Sequence, residues 1–386
     1  NSRDAENLKM IGIAPQRIFF LPNSIDTEFF TDLPIITNRT GVINNRYTAQ
    51  ILARIKEYST KKHYFFDEKR KILLSPLKVM RRKNNVETIL ILMALNNLRD
   101  EHQLLITLEP GSGKDVDYAN AIRKFIQVNR LPVVIGLGND LISSNEQRDV
   151  RWGKAKTFNL IDIFALSKAI ITNSIIEGFG FGFHEGWLTG KTIVGRKLPY
   201  VCKDFERNGM KLEHMYKKMW VRLEWMKNAE KRLRDIYYKD ANNLRKRQGL
   251  KSISKQTIER YVKNVKFYKV QNHKCIDFKD LSLEMQFEAI KTIFADNKRI
   301  KEFIGINPSI KKIYNMMREN PKNLIAHNKK VVMQRYNLKA KSKRLQNIFK
   351  IGNQNYLKKI KHGKVNNSKV IAKYLDLDYI HPLTVD

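Results

Sequence analysis

The chain has 386 residues, enough for two domains or for one domain with a sizeable appendage. Its 73 Lys and Arg against 38 Asp and Glu give a formal charge of +35, which favours anionic partners without choosing among nucleic acid, anionic lipid and a phosphorylated substrate. Two cysteines, Cys202 and Cys275, are too few for a disulfide scaffold or a four-ligand zinc site. No apolar run approaches the roughly 18 residues of a membrane-spanning helix, and the first ten residues, NSRDAENLKM, do not read as a signal peptide. A reducing, intracellular setting is therefore expected.

Residues 1–30 read as a short helix, a strand over 17–21 (RIFFL) and a turn over 22–26 (PNSID). Residues 31–70 have weak periodicity and read as a linker with one helix over 48–58. From residue 71 the pattern becomes regular. Strands are expected over 71–77 (KILLSPL), 103–108 (QLLITL), 131–137 (LPVVIGL), 169–172 (AIIT) and 192–194, with helices over 86–98, 117–129, 159–166 and 182–188. Short apolar strands alternating with helices imply a parallel sheet covered on both faces, with ligands at the carboxyl ends of the strands. The polar stretch 137–152 suits a loop over such a site. Past Arg196 the strands are expected to stop, and residues 205–268, 279–298, 308–318 and 321–349 read as charged helices. The window 321–369 holds 14 Lys or Arg and no acid, which fits a solvated face or a surface for membrane or nucleic acid. No nucleic-acid-binding signature accompanies it, so nucleic acid is the less favoured partner.

The stretch 173–190, NSIIEGFGFGFHEGWLTG, follows an apolar strand and sets Glu177 and Glu185 on either side of Gly178, Gly180 and Gly182. Glycines allow close backbone approach, free N–H groups at the following helix start can hold an anion, and the two acids can accept from hydroxyl groups. Ser174 can cap or donate to phosphate. The basic loop after the first strand, Lys78 to Lys83 with Arg81 and Arg82 between, faces the same sheet edge and can stabilise a departing phosphate. Arg196 and Lys197 stand after the fifth strand, within reach of that edge. His184 reads as structural rather than as a base. Gly111, Gly113 and Lys114 lack full phosphate-loop spacing, and the histidines are scattered with no metal-ligand spacing.

These residues resemble the donor site of retaining glycosyltransferases of family 4, the glycosyl transferases group 1, which have the GT-B fold. Glu177 and Glu185 match the family's Glu-x7-Glu pair, and Gly178-Phe179-Gly180 its Gly-Phe-Gly. Lys78 and Lys83 keep the spacing of its basic pair, with Lys where Arg is usual, a change that keeps the charge and loses the bidentate fork. Residues 21–26 look like its interdomain segment, and residues 325–328 with Arg335 and Tyr336 like its closing helices.

The resemblance implies an α/β chain carrying the Rossmann-like parallel sheet of a GT-B C-terminal, donor-binding domain, with an extensive C-terminal helical region. It divides the chain into 1–70 (remnant of an N-terminal domain and linker), 71–204 (nucleotide-sugar-binding domain), 205–300 (helical insertion), 301–349 (closing helices) and 350–386 (basic tail). It implies transfer of a hexose from a UDP- or GDP-linked sugar to an acceptor hydroxyl with retention. Glu177, Lys83 and Lys78 are then expected at the reacting centre, and Glu185, Gly178, Phe179, Gly180, Ser174, Arg81 and Arg82 on the donor. No metal or other cofactor is required. The acceptor would be a glycan, lipid or small polyol. The resemblance implies that residues 1–70 hold only a remnant of the acceptor domain, so a subunit supplying it, or a catalytically impaired chain serving as a partner subunit or as a membrane- or protein-binding module, stands as the alternative. The expected location is cytoplasmic, with the inner face of a membrane as its variant.

Overall fold

A computed structural model describes residues 2–31, 45–99, 101–111, 113–142, 150–151, 154–155, 158–352, 371–372 and 375–385. Its centre is a five-stranded, wholly parallel sheet of β1 (Lys71–Lys78), β2 (His102–Leu108), β3 (Val133–Ile135), β6 (Ala169–Thr172) and β7 (Ile193–Gly195), in the order β3-β2-β1-β6-β7. A two-residue hairpin, β4 (Val150–Arg151) and β5 (Lys154–Ala155), lies between β3 and β6 in sequence. The five strands are the apolar runs read from the sequence, and the reason is burial. Leu73, Leu74, Leu104, Leu105, Val133, Val134, Ile170 and Ile193 are fully enclosed, as in a sheet with helices on both faces.

Helices Asn85–Leu98, Gly113–Val128, Leu160–Leu166 and Gly182–Leu188 connect these strands. The first is buried nearly all round, with Ile89, Leu90, Ile91, Leu92 and Leu95 all enclosed, because it is sandwiched. The helices Leu283–Phe294, Asn297–Ile306 and Ser309–Glu319 pack over its outer side. Leu160–Leu166 starts in a capping box, Asn159 accepting from the Ile161 N–H at 3.0 Å while Asp162 accepts from the Asn159 N–H at 3.0 Å. The architecture is that expected of a GT-B donor domain: a Rossmann-like parallel sheet followed by a long helical region.

Three expectations are corrected. Residues 17–21 form no strand: Pro15–Arg17 is a turn of 3₁₀ helix, and the apolar residues after it have no strand among the described residues to pair with. The strands do not stop at Arg196. A second, antiparallel sheet of β8 (Trp220–Arg222), β9 (Tyr268–Val270) and β10 (His273–Asp277), in the order β8-β10-β9, is embedded among the later helices. Within the stretch read as the loop 137–152, Leu137–Asp140 is a short helix and β4 a strand; residues 143–149 and 152 lie outside the described residues. The helix expected over 48–58 runs from Asn45 to Lys61. Much of the tail 350–386 also lies outside the described residues, but Leu377, Ile380 and Leu383 at its end are buried in the core.

Candidate functional site

In the order β3-β2-β1-β6-β7 the sheet grows one way from β1 and the other way from β6, so the loops leaving these two neighbours diverge. A crevice opens at that point in any sheet of this kind. Lys78 ends β1 and Thr172 ends β6. The two loops are bonded to each other at the backbone: the Ile175 N–H donates to the Arg82 carbonyl at 2.9 Å. Between them lies a cleft of 360 Å³ lined by Lys78, Arg82 and Lys83 from one loop and by Glu177, Gly178, Phe179, Gly180 and Glu185 from the other. Gly180 has φ +86, a turn that glycine makes without strain and that feeds the chain into helix Gly182–Leu188.

The two acids differ in their partners. Glu177 is buried and its Oε1 is shared by the Lys83 ammonium and by the Ser174 hydroxyl, which donates at 2.7 Å. Arg82 stands 3.5 Å from the other carboxylate oxygen, and the Glu177 backbone N–H donates to the Tyr200 hydroxyl at 3.1 Å. Burial pushes the Lys83 ammonium below its ordinary value, and the Glu177 carboxylate opposes that shift. Lys83 has three N–H donors, so the pair with Glu177 leaves it capacity for a second acceptor. Glu185 has no such company. Among the described residues nothing hydrogen-bonds or pairs with its carboxylate, and burial alone pushes it up to about 7. Among the described residues the Phe179 and Gly180 backbone N–H groups are also unpaired.

The structure thus brings Lys78, Arg82, Lys83, Glu177, Gly178, Phe179, Gly180 and Glu185 to one cleft, and sets others apart. Arg81 does not line it. In the 3₁₀ turn Arg81–Lys83 successive side chains point about 120° apart, and the Arg81 backbone N–H donates to Asp115 Oδ1 at 3.2 Å. Ser174 is buried behind Glu177, with its hydroxyl engaged there. Arg196, expected within reach of the site, is instead fully buried between Glu87 and Asp277, with bonds of 2.7–2.9 Å to both carboxylates, while Lys197 pairs with Glu206. His184 is enclosed by Phe179, Phe205 and Tyr336, and burial lowers it to about 3, so it stays neutral.

Sequence reasoning missed Tyr200 and Asn23. Tyr200 acts through a backbone N–H, for which no side-chain spacing is diagnostic. Asn23 reads from the sequence only as part of the turn and interdomain segment 21–26. It lines the cleft together with a second, adjoining cavity of 200 Å³, bounded by Phe20, Leu21, Val201, Phe205 and Tyr336, and Gly178 and Phe179 wall both. Among the described residues no group of three or more His, Cys, Asp and Glu could hold a metal ion, and Cys202 and Cys275 are free and buried. No described helix is long and apolar enough to cross a membrane.

No family model matches the chain. Over 206 residues, 53% of its length, it is 26% identical to the mannosylglucosyl-3-phosphoglycerate synthase of Petrotoga mobilis, and it spans 34% of that protein. Among solved structures, the pneumococcal O-GlcNAc transferase GtfA, in complex with UDP and GlcNAc, matches 76% of this chain and 38% of its own, at 11% identity and a TM-score of 0.34. TarM matches 82% of this chain and 48% of its own, at 12% identity and a TM-score of 0.36.

Proposed function

We propose that the chain is the donor-binding part of a retaining glycosyltransferase that takes a hexose from a nucleoside diphosphate sugar. The observation that carries this reading is the unpartnered, half-buried carboxylate of Glu185 in the same cleft as Lys78, Arg82 and Lys83. A lone carboxylate in a confined cleft wants hydroxyl donors, and a ribose supplies two; cations nearby want an anion, and a diphosphate supplies one. The sequence relationship to a synthase of a glycosylated phosphoglycerate and the Rossmann-like sheet support the same assignment.

In this reading Lys83, Lys78 and Arg82, with the Phe179 and Gly180 N–H groups, hold the diphosphate and stabilise the charge that grows on it as the sugar leaves. Glu177 lies against the sugar, fixed by Lys83, Ser174 and Tyr200. An acceptor hydroxyl attacking with retention would pass Gly178 and Phe179, which separate the cleft from the adjoining cavity. Binding of UDP and GDP by titration calorimetry tests the site. Glu185→Ala and Lys83→Ala should each weaken binding about tenfold or more. Unchanged affinity in both variants would sink the assignment.

A further inference from the structure

The helix Leu338–Gly352 has 15 residues and none of them is buried. Its start is capped by Asn337, whose side-chain oxygen accepts from the Ala340 N–H at 2.6 Å, and Arg344 reaches Asn208 Oδ1 at 3.4 Å. Ala340, Arg344, Leu345 and Ile348 form its half-buried inner side. The outer side carries Leu338, 64% exposed, and Phe349, 61% exposed, beside the exposed lysines Lys339, Lys343 and Lys350. Leu338 and Phe349 are three turns apart, about 16 Å along one side of the helix. A helix of this length is marginal in water unless one face packs on something.

The inner side packs on the rest of the chain, and charge identifies what suits the outer one. Residues 321–352 hold 9 Lys or Arg and no Asp or Glu, so the covering surface is anionic. A nucleic acid would neutralise the lysines but leave Leu338 and Phe349 in water. A lipid surface takes both kinds of side chain at once: acyl chains receive leucine and phenylalanine, and headgroup phosphates receive lysine.

We propose that the Leu338–Gly352 helix lies flat on an anionic lipid surface, with Leu338 and Phe349 entering the acyl boundary and Lys339, Lys343 and Lys350 on the headgroups. Flotation of the full chain tests this with vesicles of phosphatidylcholine alone and of phosphatidylcholine mixed with phosphatidylglycerol. Recovery is expected with the mixed vesicles only. Replacing Lys339, Lys343 and Lys350 by Gln should reduce partitioning about fivefold per lysine, roughly a hundredfold together. Leu338→Gln with Phe349→Gln should reduce it at least about tenfold while leaving the charge unchanged. A polarity-sensitive dye on Phe349→Cys, the two native cysteines being buried, should shift to the blue with mixed vesicles. Equal flotation of the Leu338/Phe349 variant, or an unshifted dye, would mean general adsorption of a basic protein and overturn the proposal, as would failure to float or release of the helix only to a protein partner.

Discussion

Glu185 offers the sharpest test, because its ionisation falls in an accessible range. Burial raises its carboxyl from 4.5 to about 7, and ribose hydroxyls donate to the ionised form. If only that form binds the donor, about one molecule in ten is competent near pH 6 and about nine in ten near pH 8. Affinity for a nucleotide sugar should therefore rise about tenfold across that window and flatten above it. The assay is calorimetric titration with the intact nucleotide sugar, whose diphosphate diester does not titrate there, whereas a free terminal phosphate does at about 6. Glu185→Gln should bind weakly at every pH and show no rise. The sign for stability runs the other way. The folded state holds the proton more tightly than the unfolded chain, so this group's contribution is present below about 4.5 and is lost as pH rises through about 7. The wild-type melting temperature should fall over that window more steeply than that of Glu185→Gln. A flat binding profile, or an identical rise in the variant, would refute the assignment of Glu185 as the hydroxyl acceptor.

Other outcomes follow from the ion pairs. Lys83→Met takes from buried Glu177 its closer cation, leaving Arg82 at 3.5 Å from the other oxygen, and should cost about 3 kcal/mol in denaturant unfolding. Adding Glu177→Gln should restore most of that stability while donor binding stays lost, which separates the structural role of the pair from its role on phosphate. Arg196→Met strands both Glu87 and Asp277 in the interior and should destabilise by at least a similar amount, about 3–5 kcal/mol, measured by urea unfolding. Gly195→Ala should scarcely fold, as judged by soluble yield and circular dichroism, since its φ is +126 and an added Cβ would lie 2.0 Å from the Thr172 carbonyl oxygen.

The main sheet was legible because strands enclosed on both faces are mostly apolar, and KILLSPL, QLLITL and AIIT are apolar except at Lys71, Ser75, Gln103, Thr107 and Thr172. The same rule misread residues 17–21, where an apolar extended run has no neighbour to pair with. The small antiparallel sheet was missed because its strands are short and mixed in polarity. One signal was present: Gln271 and Asn272 form a two-residue turn with φ of +46 and +66 between β9 and β10, and asparagine favours such a hairpin. The site divided along similar lines. Glu177, Glu185 and the glycines sit close together in the chain, so their spacing could be read. Arg196 could not be placed, because its partners Glu87 and Asp277 are 109 and 81 positions away. Arg81 was grouped with its neighbours by sequence and separated from them by the turn.

The bond from the Ile175 N–H to the Arg82 carbonyl has an evolutionary consequence. It uses only main-chain atoms of position 82, so any residue there can keep the two loops together. Substitution at position 82 can drift between neutral and basic, retuning how strongly an anion is held, while this main-chain bond still joins the two loops. Position 83 has no such freedom, since its side chain neutralises the buried Glu177. Among related sequences, variation should be tolerated at the first of these adjacent positions and resisted at the second.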